Sequence, residues 1–420
     1  MKQYNPFDPA VIQDPYPFYE WLREEAPVYH VEELDLYVLS RYEDVYASLK
    51  NPAVFSSQQG MGMMIGAGGP PGKMRDYLLS RNPAGLGGLS PDDLAGLRIL
   101  IASDPPDHTR LRRLVSKPFT PKAMTALEPR IRAICEALVD DLVAANQTGE
   151  ADLIKHLAYP LPVIVIAEML GIPAERRDDF KRWSDDVVGA LSSGLRDPER
   201  SAQSGMEMFQ FFGQAIEERR ETPGNDLISL LVTNSEGGDS LNTMEILLFC
   251  VLLLIAGNET TTNLISNGAL ALFDRPQLWK QVRQEPARIP ALVEEVLRYD
   301  TPVQALFRAT TRPVELHGVT LPANAPVLVL FGAANRDPRH YTAASEFQLE
   351  RNPTDNLSFG AGIHLCLGAP LARMEARIAS EVLLRRTRNI RQTSAPTRID
   401  SFLLRGLSHL PIAFESNNPA

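Results

Sequence analysis

Ten residues late in the chain, Phe359-Gly-Ala-Gly-Ile-His-Leu-Cys-Leu-Gly368, constrain it more than any other stretch. A lone cysteine, Cys366, stands between glycines, and the loop runs into a helical pattern from Ala369 to Arg386. Such a position is poor for packing and good for a thiolate. Loop N–H groups and the positive end of the following helix favour a negative sulfur. Neighbouring glycines leave a flat surface, so the sulfur can ligate a large planar metal cofactor. Taken alone, the residue also reads as a buried structural cysteine in a Gly-rich turn.

The spacing of Phe359, Gly362, His364, Cys366 and Gly368 resembles the haem-ligand loop of the cytochrome P450 family. The resemblance implies that Cys366 is the axial thiolate to the iron of haem b, donating electron density that favours O–O cleavage. Phe359 would lie against the haem near the sulfur. Gly360, Gly362 and Gly368 would let the backbone approach sulfur and porphyrin.

The other two cysteines, Cys135 and Cys250, fall in an amphipathic helical pattern and an apolar run, and read as core. No C-x-x-C pair is present, which excludes a zinc ribbon and a thioether-linked haem. With 420 residues and 44% hydrophobic content the chain can bury a large core. A net charge of −10 argues against a general nucleic-acid or anionic-membrane binder. The longest apolar run, Ile246 to Ala256, is shorter than the roughly 18 residues of a membrane span and reads as a core helix. The N-terminal residues carry no apolar stretch. The chain is therefore expected to be of the soluble bacterial P450 type: cytoplasmic, monomeric, with neither membrane nor nucleic acid as partner.

No repeat or Gly/Ser linker divides the sequence, which predicts one large domain over residues 1–420. The periodicity predicts a mainly α protein with small β-sheets (α+β), and the resemblance implies the P450 fold. A helix-rich core is expected at about 105–390, small-sheet regions at about 25–60 and 300–330, and a variable substrate segment at about 56–100. Within that segment Ser56 to Gly88 is rich in Gly, Met and Pro and reads as a long loop. Its Met61, Met63, Met64 and Ile65 are costly to leave in water and would cap the distal side of a binding site.

A long helix is predicted from Ser240 to Phe273, with Ala256-Gly-Asn-Glu-Thr-Thr261 at its middle. Gly, Asn and Thr are poor helix formers, and this conflict inside an apolar core helix marks a candidate site. Gly257 allows close approach of a flat ligand and a local widening of the helix. The hydroxyls of the threonines can instead bond back to carbonyls. The stretch resembles the family's acid–alcohol motif, which implies Thr260 as alcohol and Glu259 as acid in proton delivery, with Ala256 and Gly257 beside the haem.

Glu295 and Arg298, spaced i and i+3, together with Arg336 in Asn335-Arg-Asp-Pro338, resemble the family's Glu-x-x-Arg network that supports the cysteine loop. The resemblance further implies that His108, Arg112, Arg308 and His364 hold the haem propionates. Arg110, Arg113, Lys117, Arg373 and Arg377 suggest a basic patch for an acidic, ferredoxin-type electron donor. Substrate contacts are expected from Met63, Met64, Leu252, Leu253, Val303, Ala305, Leu306, Phe402 and Leu403, all apolar. The activity so implied is a haem-thiolate monooxygenase. It would insert one atom of O₂ into a lipophilic small molecule (terpenoid, steroid, fatty acid or macrolide-like), with NAD(P)H electrons arriving through ferredoxin reductase and ferredoxin. A peroxide-driven peroxygenase and a non-catalytic haem sensor remain as alternatives; the Glu259-Thr260 pair favours O₂ activation over both.

Overall fold

The apolar run at 246–256 lies inside the longest helix, and much of the chain is arranged around it. The structure, a computed structural model, describes residues 3–66, 68–81, 96–192, 198–236 and 238–417. The chain opens with α1 (Pro9–Gln13), α2 (Tyr16–Glu25), the strands β1 (Val28–Val31) and β2 (Leu36–Leu39), and α3 (Tyr42–Lys50). Next come β3 (Phe55–Ser56), α4 (Ser57–Ile65) and α5 (Lys73–Arg81). The helical body comprises α6 (Asp107–Val115), α7 (Pro121–Thr148), α8 (Pro160–Met169), α9 (Arg177–Ser192), α10 (Pro198–Glu221) and α11 (Leu227–Thr233). After the short pair β4 (Ser235–Glu236) and β5 (Asp239–Ser240) it continues with α12 (Thr243–Phe273), α13 (Pro276–Gln284) and α14 (Ile289–Tyr299). Strands β6 (Ala305–Thr310), β7 (Val314–Leu316), β8 (Val319–Leu321) and β9 (Pro326–Leu330) precede α15 (Phe331–Ala334). Beyond the cysteine loop lie α16 (Ala369–Arg386), β10 (Thr387–Gln392), β11 (Thr397–Arg398), β12 (Leu407–His409) and β13 (Ile412–Ser416).

α12 starts at a capping box. The Asn242 side chain accepts from the Glu245 N–H at 2.9 Å, and the Glu245 carboxylate accepts from the Asn242 N–H at 3.0 Å. Its 31 residues span about 46 Å. By length and composition α12 could cross a membrane, but here it packs against α8, α9, α10, α14 and α16. The helix is regular through Gly257, so the expected widening there is absent; a π-helical turn occurs instead at Ile154–Ala158.

The main sheet has the order β1-β2-β9-β6-β3, with β2 and β9 parallel and the other neighbours antiparallel. Against β6 lies α4, and this corrects the reading of Ser56–Gly88 as a loop. Ser56 caps the helix by accepting from the Gln59 N–H at 3.0 Å, and Gly66 ends it at φ 80°. A Cβ on Gly60 would stand 2.3 Å from Arg308 Cα, so only glycine lets helix and strand approach this closely. Residues 67 and 82–95 of the expected variable segment lie outside the described residues.

Beneath the cysteine loop, Glu295 and Arg298 form a fully buried bidentate pair at 2.7 and 2.8 Å. Arg298 also donates to the carbonyls of Asn335, Ala344 and Glu346. The third partner is Arg351, 3.5 Å from Glu295, and not Arg336. Asn335 turns inward, its Oδ1 accepting from Leu357 N–H at 2.7 Å and its Nδ2 donating to Ser358 at the head of the loop. Arg336 points elsewhere, between the rings of Tyr16 and Tyr299. Cys135 and Cys250 are buried in the core, as expected.

Candidate active site

The loop that carries Cys366 is shaped by two glycines with φ of +70°, Gly360 and Gly362. A Cβ on Gly362 would meet the Leu49 carbonyl at 2.5 Å, so the loop is pressed against the end of α3. The Cys366 N–H donates to the Phe359 carbonyl at 2.9 Å, closing the turn. Arg373, ion-paired with Glu294, lies 4.5 Å over the Phe359 ring. The Cys366 side chain is open, but toward an internal cavity. Burial pushes its thiol up, and the Gly368 and Ala369 N–H groups, Arg112 and Arg373 offset this only in part. The loop alone therefore does not produce the expected thiolate; a cation at the sulfur is needed to complete it.

The cavity, about 360 Å³, is bounded by the cysteine loop, by α12 and by residues of α4 and β6. It receives Arg112, Ala256, Gly257, Thr260, Arg308, Phe359, Gly360, His364, Cys366 and Gly368 from the expected haem site, and Met64, Leu252, Leu253, Val303, Leu306 and Leu403 from the expected substrate contacts. Three expected contacts fail. Ala305 faces away because strand alternation turns Leu306 and Arg308 to the cavity. Met63 is buried in the core, while Met61, Met64 and Ile65 form the lining. Phe402 packs on Phe7 and Phe307, at 4.5 and 6.2 Å between centroids.

At one side of the cavity His108 and His364 stand with ring centroids 4.3 Å apart. Both nitrogens of His108 and Nε2 of His364 are buried without a hydrogen-bond partner. Burial, with Arg308, His108 and Arg112 nearby, pushes His364 down to about 3. Burial and Arg112 also lower His108. Both imidazoles are thus neutral at pH 7, and the expected four cations reduce to Arg112 and Arg308 flanked by two neutral donors. Unpaired buried donors beside two arginines fit a ligand carrying carboxylates. Among the described residues no group of three or more His, Cys, Asp or Glu could hold a bare metal ion. A metal joined to Cys366 would bring its other ligands with it, as a macrocycle does.

On α12 the Thr260 hydroxyl donates to the Ala256 carbonyl at 2.6 Å, the back-bonded form. Glu259 lies outside the cavity lining. A Cβ on Gly257 would sit 3.1 Å from Ile166 of α8. Sequence reasoning missed Glu375 on α16. This residue lines the cavity, is 1% exposed, and has Oε1 unpartnered. Burial pushes its carboxyl up to about 8, opposed by a hydrogen bond with Thr261. The signal was available: a glutamate interrupts the buried stripe Leu371, Ile378, Val382 of an amphipathic helix.

The basic patch is smaller than expected. Arg110 pairs with Glu245, Arg113 with Asp239, Arg373 with Glu294, and Arg377 with Glu128 and Glu381.

A family model described as Cytochrome P450 matches residues 92–409. The chain belongs to the cytochrome P450 family. It is thus a haem-thiolate monooxygenase, an oxidoreductase, with haem b as cofactor. Cytochrome P450 107B1 of Saccharopolyspora erythraea is 38% identical over 413 residues, covering 97% of this chain and 96% of that one. The structure of the P450 CYP109Q5 from Chondromyces apiculatus superposes with a TM-score of 0.85 at 36% identity, covering 99% of each chain. That of the P450 CYP109E1 from Bacillus megaterium, solved in complex with testosterone, gives 0.81 at 36% identity, covering 95% of this chain and 99% of that one.

Proposed function

We propose that this P450 hydroxylates a neutral lipophilic substrate of about steroid size, with Cys366 as the proximal thiolate. The observation that carries the reading is one cavity bounded both by the Cys366 loop and by Thr260, with mainly apolar walls between. Haem bound there supplies O₂ activation and transfer of one oxygen atom to a C–H bond. The chain's own residues do the rest. Arg112, Arg308, His108 and His364 hold the porphyrin carboxylates by charge and by their free N–H groups. The Glu295–Arg298 pair and Asn335 hold the loop that carries Cys366 in place. Thr260 holds a proton at Oγ1 beside the cavity, and Glu259 passes protons to it from outside the lining.

Substrate chemistry follows from the lining. Its charged or imidazole side chains are Arg112, Arg308, His364 and Glu375. The first three serve the porphyrin, and Glu375 is mostly protonated at pH 7. No ionic anchor is left for a substrate among the described residues, and Leu252, Leu253, Val303 and Leu403 supply apolar contact. The testosterone complex of the CYP109E1 relative supports the steroid class. We assign electron delivery to a ferredoxin-type donor docking near Leu365, which is 49% exposed, outside the lining, and adjacent to Cys366.

The test is a ligand series of neutral steroids, terpenoids and matching carboxylic acids, read by the low-spin to high-spin shift of the ferric holoprotein. Neutral ligands should shift the spectrum and acids of equal size should not. Tighter binding of the acids would refute the neutral-substrate reading. In turnover Thr260→Ala should divert electrons from product to peroxide, and unchanged coupling would remove Thr260 from the proton path.

A further inference from the structure

Four residues of the Ala256–Thr261 turn line the cavity: Ala256, Gly257, Thr260 and Thr261. Asn258 does not. At about 100° per residue its side chain leaves α12 on the far face. It is 1% exposed, and its Nδ2 donates to Ser184 Oγ of α9 at 2.8 Å, in a place where Ser184 is fully buried. One turn later, Thr262 donates to the Ala158 carbonyl at 3.1 Å. The rear of α12 is therefore held at two points just behind the oxygen-side residues.

Two observations give this bond a purpose beyond cohesion. Asn258 Oδ1 is buried with no hydrogen-bond partner. An unmet buried acceptor destabilises; a leucine of similar size would remove it, but would leave the buried Ser184 hydroxyl without its donor. Asparagine is the poorer choice for packing here and the better one for direction. Ser184, moreover, belongs to a braced helix pair. Arg182 and Trp183 of α9 both donate to Glu207 of α10, at 2.5 and 3.1 Å, and Ser204 of α10 donates to Asp186 at 2.6 Å. Ser184 is thus placed by the α9–α10 pair as a unit. Thr260, in turn, is bonded within its own turn to Ala256, so rotation of that turn carries its hydroxyl with it.

We propose that Asn258 is a positioning residue: its hydrogen bond to Ser184 sets the rotation of the central turn of α12, and so the aim of the Thr260 hydroxyl, from the position of α9. The proposal rests on the monooxygenase reading of Thr260. Asn258 touches neither haem nor substrate and acts only through that turn.

The experiment uses holoprotein of the parent, Asn258→Leu, Ser184→Ala, the double variant, and Ser184→Thr, which keeps a hydroxyl. Two quantities are read: the C–O stretching frequency of the ferrous CO complex, which senses polar groups facing the bound ligand, and the fraction of consumed NAD(P)H recovered as product. Asn258→Leu and Ser184→Ala should move the C–O band the same way. Each should also worsen the product-to-peroxide ratio by about threefold, the size of one neutral hydrogen bond. The double variant should match the singles, because one bond is lost in all three, and Ser184→Thr should resemble the parent. A C–O band and a ratio unchanged in both single variants overturn the proposal, as does a loss of stability with both readouts unmoved. A parent that forms no product from O₂ sinks the monooxygenase reading instead, and the C–O band still decides the positioning role.

Discussion

Glu375 makes the protein's stability depend on pH in an uncommon direction. Its ordinary value is 4.5, and burial in the folded chain raises it to about 8. Between those values the native state keeps a proton that the unfolded state has lost. Stability therefore falls as pH rises, by roughly 1.4 kcal/mol per unit, and levels off above about 8. Glu375→Gln is a close mimic of the protonated form and removes this dependence. Relative to the parent, the variant should gain roughly 2.5 kcal/mol between pH 5.5 and 7.5. For a chain of 420 residues that is about 3 °C in thermal midpoint. The assay is a pair of thermal melts of the two holoproteins across that range, taking the difference at each pH so that all other titrations cancel. A difference that stays flat with pH, or one that shrinks as pH rises, would show that Glu375 is ionised in the native state. It would refute the argument that a carboxyl without a cation in this lining must hold its proton.

Three further outcomes follow from the geometry. Arg298→Leu leaves Glu295 charged at zero exposure with only the Gln348 N–H at 2.7 Å and Arg351 at 3.5 Å, and should cost about 3–5 kcal/mol, read as lost haem content and a lower melting midpoint; parent-like haem content would show that the pair does not support the loop. Gly60→Ala places a Cβ 2.3 Å from Arg308 Cα, so the purified protein should have a displaced Arg308 and reduced haem retention, against a control at Gly238, where the added methyl meets nothing but φ is +82°. Phe402→Ala, at a partly buried ring, should cost about 1–3 kcal/mol of stability while leaving ligand-induced spin shifts intact, whereas Leu403→Ala should alter the spin shifts; the reverse pattern would return Phe402 to the cavity.

The cysteine loop was legible because its chemistry is local. Glycines at positive φ, a lone thiol and a following helix need no distant partner to be recognised, and the same holds for the Ala256–Thr261 conflict inside an apolar helix. The Glu295–Arg298 pair was visible from i, i+3 spacing. Its third partner was not, since Arg336 and Arg351 are equally plausible until the turn of Asn335 toward Leu357 and Ser358 sends its neighbour the other way. The Gly/Met segment misled for a similar reason. Glycine and proline content reads as loop, but Gly60 is there for a helix that touches a strand distant in sequence.

Sequence by itself determined the cysteine of the haem-binding loop, the Ala256–Thr261 interruption of an apolar helix, the arrangement of mainly α structure with small sheets, and the family to which they belong. These depend on residue type and short spacing. Tertiary structure decided which apolar residues and which arginines face the cavity, and that the thiol, two histidines and Glu375 are all driven toward their neutral forms. Those properties depend on burial and on charges brought together from distant segments, and both are created only when the chain closes around the cavity.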